Sequence, residues 1–292
     1  MERYFQITES GHNIRCKLYC NDPRNFQKAV IFVHGFGGHK DNRAAARFAE
    51  KMLGKVKNTA LITFDLPCHG DDVKKKLSLS DCAVYLDLVF SYVQKTYQPE
   101  ALYAYATSFG AYLTLKYLQE QGNPFRKIVL RSPAVNIYDS LTTVIMTPEN
   151  REKLDKGKDA LVGFDRKVTI TAQYLEELKA CDIRKMDFLD FAEDILILHG
   201  TEDEVIPFSE AHDFAEEQLM EFIPIEGADH RYRDVKKMDL DGVTEFKRGA
   251  NGVIELKFVD RGKLLERLLD AVDHSGAEQV DRFLRAMEGD ET

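Results

Sequence analysis

The chain has 292 residues, 44% of them apolar, and a formal net charge of −9 from 49 acidic and 40 basic residues. A chain of this length can bury a generous core, and its acidic balance argues against a dedicated polyanion binder, which needs a clustered basic face. No apolar run reaches the roughly 18 residues of a spanning helix, so neither nucleic acid nor membrane is expected as a partner. The opening residues Met1-Glu-Arg-Tyr-Phe-Gln lack the basic-then-apolar layout of a secretory signal. Five scattered cysteines (Cys16, Cys20, Cys68, Cys82, Cys181) read as free thiols, so a cytoplasmic location is expected. No Cys or His pair stands at ligand spacing beside a second pair, and no metal site is expected.

In chain order, Tyr4–Thr8 and Asn13–Tyr19 read as an antiparallel pair turned through Ser10-Gly11. The apolar run 28–33 reads as a buried strand ending in His34-Gly35-Phe36-Gly37-Gly38. Asp41 or Asn42 can cap a helix through Met52, and Ala60–Phe64 is a strand ending at Asp65. Ser80 and Asp81 open a helix with Val84, Leu88, Tyr92 and Val93 on its apolar stripe. Strands follow at Ala101–Tyr105 and Arg126–Leu130, with a helix from Ser108 to Gln121 between them. Further strands are predicted at 194–199 and 221–226, separated by a helix over Phe208–Gln218. This alternation predicts an α/β fold with a mostly parallel sheet covered on both faces. Between Ala134 and Asp194 the alternation breaks. A structureless loop of that length is improbable in a compact domain, so residues 135–190 read as an insertion over the carboxyl ends of the strands.

Ala106-Thr107-Ser108-Phe109-Gly110 sets a serine between small residues at a strand-to-helix turn. A serine hydroxyl is a weak nucleophile until the backbone exposes it and a base takes its proton, and a tight turn supplies that exposure. Taken alone, the pentapeptide also suits a serine that merely caps a helix. What separates the two readings is order along the chain: a glycine-rich loop at 35–38 before the serine, an acid in Gly200-Thr-Glu-Asp203-Glu-Val-Ile-Pro207, and a histidine in Gly227-Ala-Asp-His230. Each follows a predicted strand at its carboxyl end, where open α/β sheets assemble their sites.

Through these motifs, with Asp65-Leu-Pro-Cys-His-Gly70, the chain resembles the α/β-hydrolase superfamily over its first four-fifths. Within that superfamily it is similar to the capped bacterial cinnamoyl/feruloyl esterases. Ala106 and Cys68 stand where many relatives carry glycine. The resemblance implies an α/β-hydrolase core at 1–134 and 191–237 with a cap at 135–190, and a serine carboxylesterase without a cofactor that hydrolyses small or aromatic acyl esters. Monoacylglycerol lipases and peptidases share most of the motifs, and a non-catalytic binding protein on the same scaffold is the reading from a different class.

Ser108 would be the nucleophile, His230 the base and Asp203 the acid orienting it, with the backbone N–H groups of Phe36 and Phe109 forming the oxyanion hole. Glu202 and Glu204 flank Asp203, and Glu204 is expected to be solvated. His212 and His274 are the rivals of His230. His34 and His69 are expected to hold loops, while His39 and Lys40 are expected on an exposed loop. Tyr138, Phe164, Tyr174 and Phe188 are the aromatics of the insertion that could line an acyl pocket. Residues 238–292 form a divergent extension, with a strand pair at 242–247 and 252–259 and a helix at 261–272 whose leucines could mediate a homodimer. Residues 243–272 also resemble the end of phage terminase small subunits, without a counterpart of their DNA-binding helix-turn-helix.

Overall fold

The computed structural model describes residues 1–164 and 166–232, and the backbone of two further strands, Val243–Arg248 and Ile254–Phe258. Alternating apolar runs and amphipathic segments build β1 (Glu2–Glu9), β2 (His12–Cys20), β3 (Lys28–Val33), α1 (Arg43–Lys55), β4 (Thr59–Phe64), α2 (Leu79–Tyr97), β5 (Ala101–Thr107), α3 (Phe109–Gln121) and β6 (Lys127–Arg131). After an insertion come β9 (Ile195–Gly200), α7 (Phe208–Glu217) and β10 (Glu221–Ile225). The insertion holds α4 (Ile137–Asp139), a π-helical stretch Ser140–Ile145, α5 (Pro148–Asp155), a hairpin of β7 (Ala160–Val162) and β8 (Val168–Ile170), and α6 (Ala172–Ala180).

Eight strands form one sheet in the order β1-β2-β4-β3-β5-β6-β9-β10. The antiparallel pairings are β1 with β2 and β2 with β4, and every pairing along β4-β3-β5-β6-β9-β10 is parallel. The central strands are apolar on both faces, as a covered parallel sheet demands. Strand alternation divides their side chains: Val30 and Phe32 of β3 pack with Ala45, Ala49 and Met52 of α1, while Ile31 and Val33 face the side of α2 and α3.

Helix boundaries follow their caps. Asn42 accepts the Ala44 N–H and opens α1, as anticipated. For α2 the cap is Ser78, which accepts the Asp81 N–H, so the helix starts earlier than Ser80. The buried face of α2 is Cys82, Tyr85, Leu86, Val89, Phe90 and Val93, and Val84 is exposed. Of the predicted stripe, Leu88 and Val93 are buried and Tyr92 packs partly buried against the core, while Tyr85 also turns inward and gives its hydroxyl to Asp72 at 2.7 Å. The two strands of the extension pair antiparallel with each other. The expected helix at 261–272, the dimer surface built on it and His274 lie outside the described residues.

Candidate active site

Strand β5 ends at Thr107 and α3 begins at Phe109, so Ser108 alone makes the turn, with φ 72° and ψ −110°. A non-glycine residue held there stores of order 1–3 kcal/mol of strain, which the packing around it must sustain. That packing is tight. A Cβ on Gly110 would collide with the carbonyl oxygens of Val33 and His34, and one on Gly35 would lie 3.2 Å from the Ser108 Cβ. Although Ser108 occupies the position before a helix, its side chain caps nothing. Its Oγ lies instead 3.1 Å from Nε2 of His230.

His230 stands just past β10, and its Nδ1 is 2.8 Å from Oδ2 and 3.0 Å from Oδ1 of Asp203. A carboxylate only accepts, so Nδ1 carries the proton and Nε2 is left to accept from the Ser108 hydroxyl. The Asp203 side chain is fully buried. Its Oδ1 accepts the backbone N–H groups of Val205 (3.0 Å) and Ile206 (2.8 Å). Burial pushes the Asp203 carboxyl up, but hydrogen bonds from His199, His230 and the Ile206 amide outweigh burial and hold it well below the usual carboxylate range. Glu204 is exposed, as expected, and its carboxylate also accepts the backbone N–H of His230 at 3.0 Å. One turn after β9 therefore grips His230 twice, by the ring and by the main chain.

The expected oxyanion donors flank the serine. Phe109 opens α3, so its N–H has no carbonyl one turn behind it, and the Phe36 N–H has no backbone acceptor among the described residues. Their rings meet edge-on at 5.9 Å. His34 fixes this loop. Its Nε2 accepts the Leu66 N–H at 3.1 Å, and its Nδ1 lies 2.8 Å from the Gly35 carbonyl, a pair that only the neutral ring with the proton on Nδ1 can make. Next to it, Asp65 accepts from the Lys40 main chain (2.7 Å) and ammonium (3.2 Å) and from the Asp71 N–H (2.9 Å). Lys40 is thus buried rather than exposed as expected, and Gly70 is required because a Cβ there would overlap the Asp65 carboxylate. Cys68 sits at φ 64°, the left-handed region in which glycine is the easier residue.

Burial drives the pKa of His34 well down and that of His69 to about 4. Below an ordinary value near 6.5 the unfolded chain binds these protons and the native chain does not. Their contribution is therefore complete above that pH and is lost as pH falls toward 4, by roughly 3 kcal/mol for His69 alone. Urea midpoints are expected to drop between pH 7 and 4.5, and to drop less in His69→Gln; equal slopes in the two proteins would refute the assignment.

Ser108 and His230 open into a cavity of about 590 Å³, whose walls include Phe36, Gly37, His39, Phe164 and four arginines, Arg43, Arg131, Arg166 and Arg231. Of the four aromatics considered for an acyl pocket, Phe164 alone lines it. Tyr138 lines a separate hollow with Leu178 and Cys181. Tyr174 and Phe188 are fully buried in the main core, Phe188 against Phe214 at 5.8 Å, because α6 and the turn after it pack onto the sheet-side helices rather than over the serine. His212 lies on α7, with Nδ1 3.5 Å from Asp213 and 3.8 Å from Glu216, and does not line the cavity.

Sequence reasoning gave His199 and Arg131 no role. His199, fully buried at the end of β9, places Nε2 3.3 Å from Oδ2 of Asp203 and 3.1 Å from the Ile206 carbonyl. A histidine closing an apolar strand four residues before the acid was the available signal. Arg131 ends β6, whose register sets it beside Thr107, and its carbonyl accepts the Ser108 N–H at 3.0 Å.

A mostly parallel eight-stranded sheet, helices on both faces, and a serine on a strained turn after β5 give the chain the α/β-hydrolase fold. Residues 24–152 match the family model described as serine aminopeptidase, S33. Among solved structures, Est1E from Butyrivibrio proteoclasticus with ferulic acid bound is similar at 21% identity, over 79% of this chain and 92% of that one, with a TM-score of 0.61. A putative hydrolase from Agrobacterium vitis is similar at 15% identity, over 81% and 94%, with a TM-score of 0.60. Mouse alpha/beta hydrolase domain-containing protein 10 is similar at 13%, over 80% and 93%, with a TM-score of 0.59. A comparison with curated protein sequences finds no match.

Proposed function

We propose that the chain is a serine carboxylesterase acting on small or aromatic acyl esters, with residues 135–190 serving as a cap. The observation that carries this reading is the unbroken relay from Ser108 Oγ through His230 to Asp203, at 3.1 and 2.8 Å. In this mechanism Ser108 attacks the ester carbonyl as its proton passes to His230 Nε2. The oxyanion forms against the Phe36 and Phe109 amides, and the alcohol leaves with the proton from His230. Water, deprotonated by the same ring, then attacks the acyl-enzyme, and the acid departs as Ser108 recovers its hydrogen. No cofactor takes part in this scheme. Phe164, half-exposed on the cavity wall, gives an aromatic acyl group a surface to stack on.

The resemblance to feruloyl esterases and the fold shared with Est1E support aromatic acyl groups. The match to a serine aminopeptidase family model favours a second reading, an aminopeptidase. Such an enzyme must receive a cationic amine, and a cavity walled by four guanidinium groups opposes one. A cytoplasmic setting is supported by five cysteines without a disulfide, and no described helix is long and apolar enough to cross a membrane. Methyl ferulate, monoolein and a prolyl anilide assayed side by side test the reading. The aromatic ester is expected to give the highest kcat/KM, and a preference for the anilide would overturn it.

A further inference from the structure

The cavity at Ser108 runs against the charge of the molecule that carries it. The chain as a whole is at −9, yet four arginines meet at this one opening, from the start of α1 (Arg43), the end of β6 (Arg131), the β7–β8 turn (Arg166) and the residue after His230 (Arg231). The one described carboxylate on the same wall, Asp41, is already occupied. It accepts the Tyr4 hydroxyl at 2.7 Å and pairs with Lys17 at 3.4 Å and Lys40 at 3.2 Å. Among the described residues, Arg43, Arg131 and Arg166 form no ion pair.

Arg131 is the most constrained of the four. Its guanidinium stacks at 4.9 Å on the ring of Tyr232, and its Nε is buried with no hydrogen-bond partner. A buried donor left without an acceptor is costly. A guanidinium held by an aromatic face keeps the in-plane N–H edges with which it grips oxyanions. Arg231 stands similarly over Phe164, 5.2 Å from the ring centroid. The tetrahedral oxyanion does not account for this concentration of charge, because one negative charge is already served by two backbone amides. Nor does a neutral ester, whose acid product would be retained by it.

We infer that the cavity selects esters carrying a second anionic group, a carboxylate or a phosphate, away from the scissile bond, with Arg131 and Arg166 as the residues that determine this preference. The inference rests on the esterase reading and narrows its substrate class. Arg131, one strand over from the nucleophile, reaches the part of the substrate next to the ester, and Arg166 meets it from the hairpin side. The β7–β8 turn is held against the oxyanion loop, where Gly37 (φ 72°) approaches the Arg166 carbonyl so closely that a Cβ would lie 3.1 Å from it.

The test compares pairs that differ chiefly in charge: monoethyl adipate against ethyl adipamate, and 2-acetoxyethyl phosphate against its neutral dimethyl phosphotriester. At least one anionic member is expected to exceed its neutral partner by about tenfold or more in kcat/KM, which also identifies the anion. The ratio is expected to fall toward one in Arg166→Gln and Arg131→Gln, and to shrink as salt is raised. Arg166 is exposed, so its variant reports even if Arg131→Gln fails to fold. Equal rates within both pairs, with hydrolysis still dependent on Ser108, would overturn the inference and leave the esterase reading intact. Should no ester be cleaved, the esterase reading fails. Calorimetry on Ser108→Ala then decides the anion site alone: adipate or 2-hydroxyethyl phosphate binding, weakened by Arg166→Gln, supports it, and no binding of either refutes it.

Discussion

Alanine at position 108 is expected to lower turnover of a p-nitrophenyl ester by about 10⁴–10⁶ while leaving the fold intact. The loss follows from the geometry, since Oγ is the atom 3.1 Å from the His230 ring and nothing else among the described side chains hydrogen-bonds to Nε2. The oxyanion amides survive the substitution, so the residual rate stays above that of water. Stability should barely move, because the hydroxyl caps no helix and alanine occupies the same φ of 72° that serine does. Initial rates and thermal melts of the two proteins check both halves together. Equal turnover would end the enzyme reading, and a collapsed melt would mean that the serine holds the turn rather than performs chemistry.

Asp203→Asn is expected to cost about 10⁴ in kcat, a loss that reports a reversed imidazole rather than a missing charge alone. Two backbone N–H groups, of Val205 and Ile206, converge on Oδ1, which therefore remains an oxygen. The new NH₂ then falls at Oδ2, facing His230 Nδ1 at 2.8 Å and His199 Nε2 at 3.3 Å. With the nearer position now a donor, the tautomer with the proton on Nε2 is favoured over one that keeps only the longer 3.0 Å contact to Oδ1, and in that tautomer His230 cannot receive the Ser108 proton. His199 fares worse: its Nε2 already faces the Ile206 carbonyl at 3.1 Å and must stay protonated, so two donors confront each other in a dry site. The variant should therefore lose stability as well as rate. Because the Asp203 carboxyl lies below its ordinary range, its contribution to stability is present above the unfolded pKa near 4 and lost as pH falls through the folded one. The rate defect is accordingly expected to persist across pH 5–8, and recovery of kcat within that range would contradict the tautomer argument.

Much of this site was readable from the residues because its parts are local. A turn that leaves no room for side chains announces itself as Ala106-x-Ser108-x-Gly110. An acid and a histidine each sit directly after an apolar strand, and parallel topology then gathers strand ends on one edge whatever the intervening sequence. Caps and strands were legible for the same reason: Asn42 acts within three residues, and the β1–β2 turn through Ser10-Gly11 forms where it was read. What escaped was decided between distant segments. Tyr174 and Phe188 carry no mark of whether they face substrate or core, and the choice falls to α3 and α7, against which the insertion packs. Lys40 looked like an exposed loop cation until Asp65, twenty-five positions on, drew it inside. Glu204 could not be tied to His230 before β10 was placed beside β9. The convergence of Arg43, Arg131 and Arg166 was invisible for the same cause, being spread over more than a hundred residues of an acidic chain.

The insertion is fastened to the body at its far end. The Tyr112 hydroxyl donates to the Cys181 carbonyl at 2.8 Å, Glu177 accepts the Leu79 N–H at 2.8 Å, and Ile183 and Phe188 are fully buried. The positions that meet the cavity, Phe164 and Arg166, lie elsewhere, in the turn between two three-residue strands. Point changes in that turn would therefore reshape the cavity wall, with the anchored portion absorbing none of the cost.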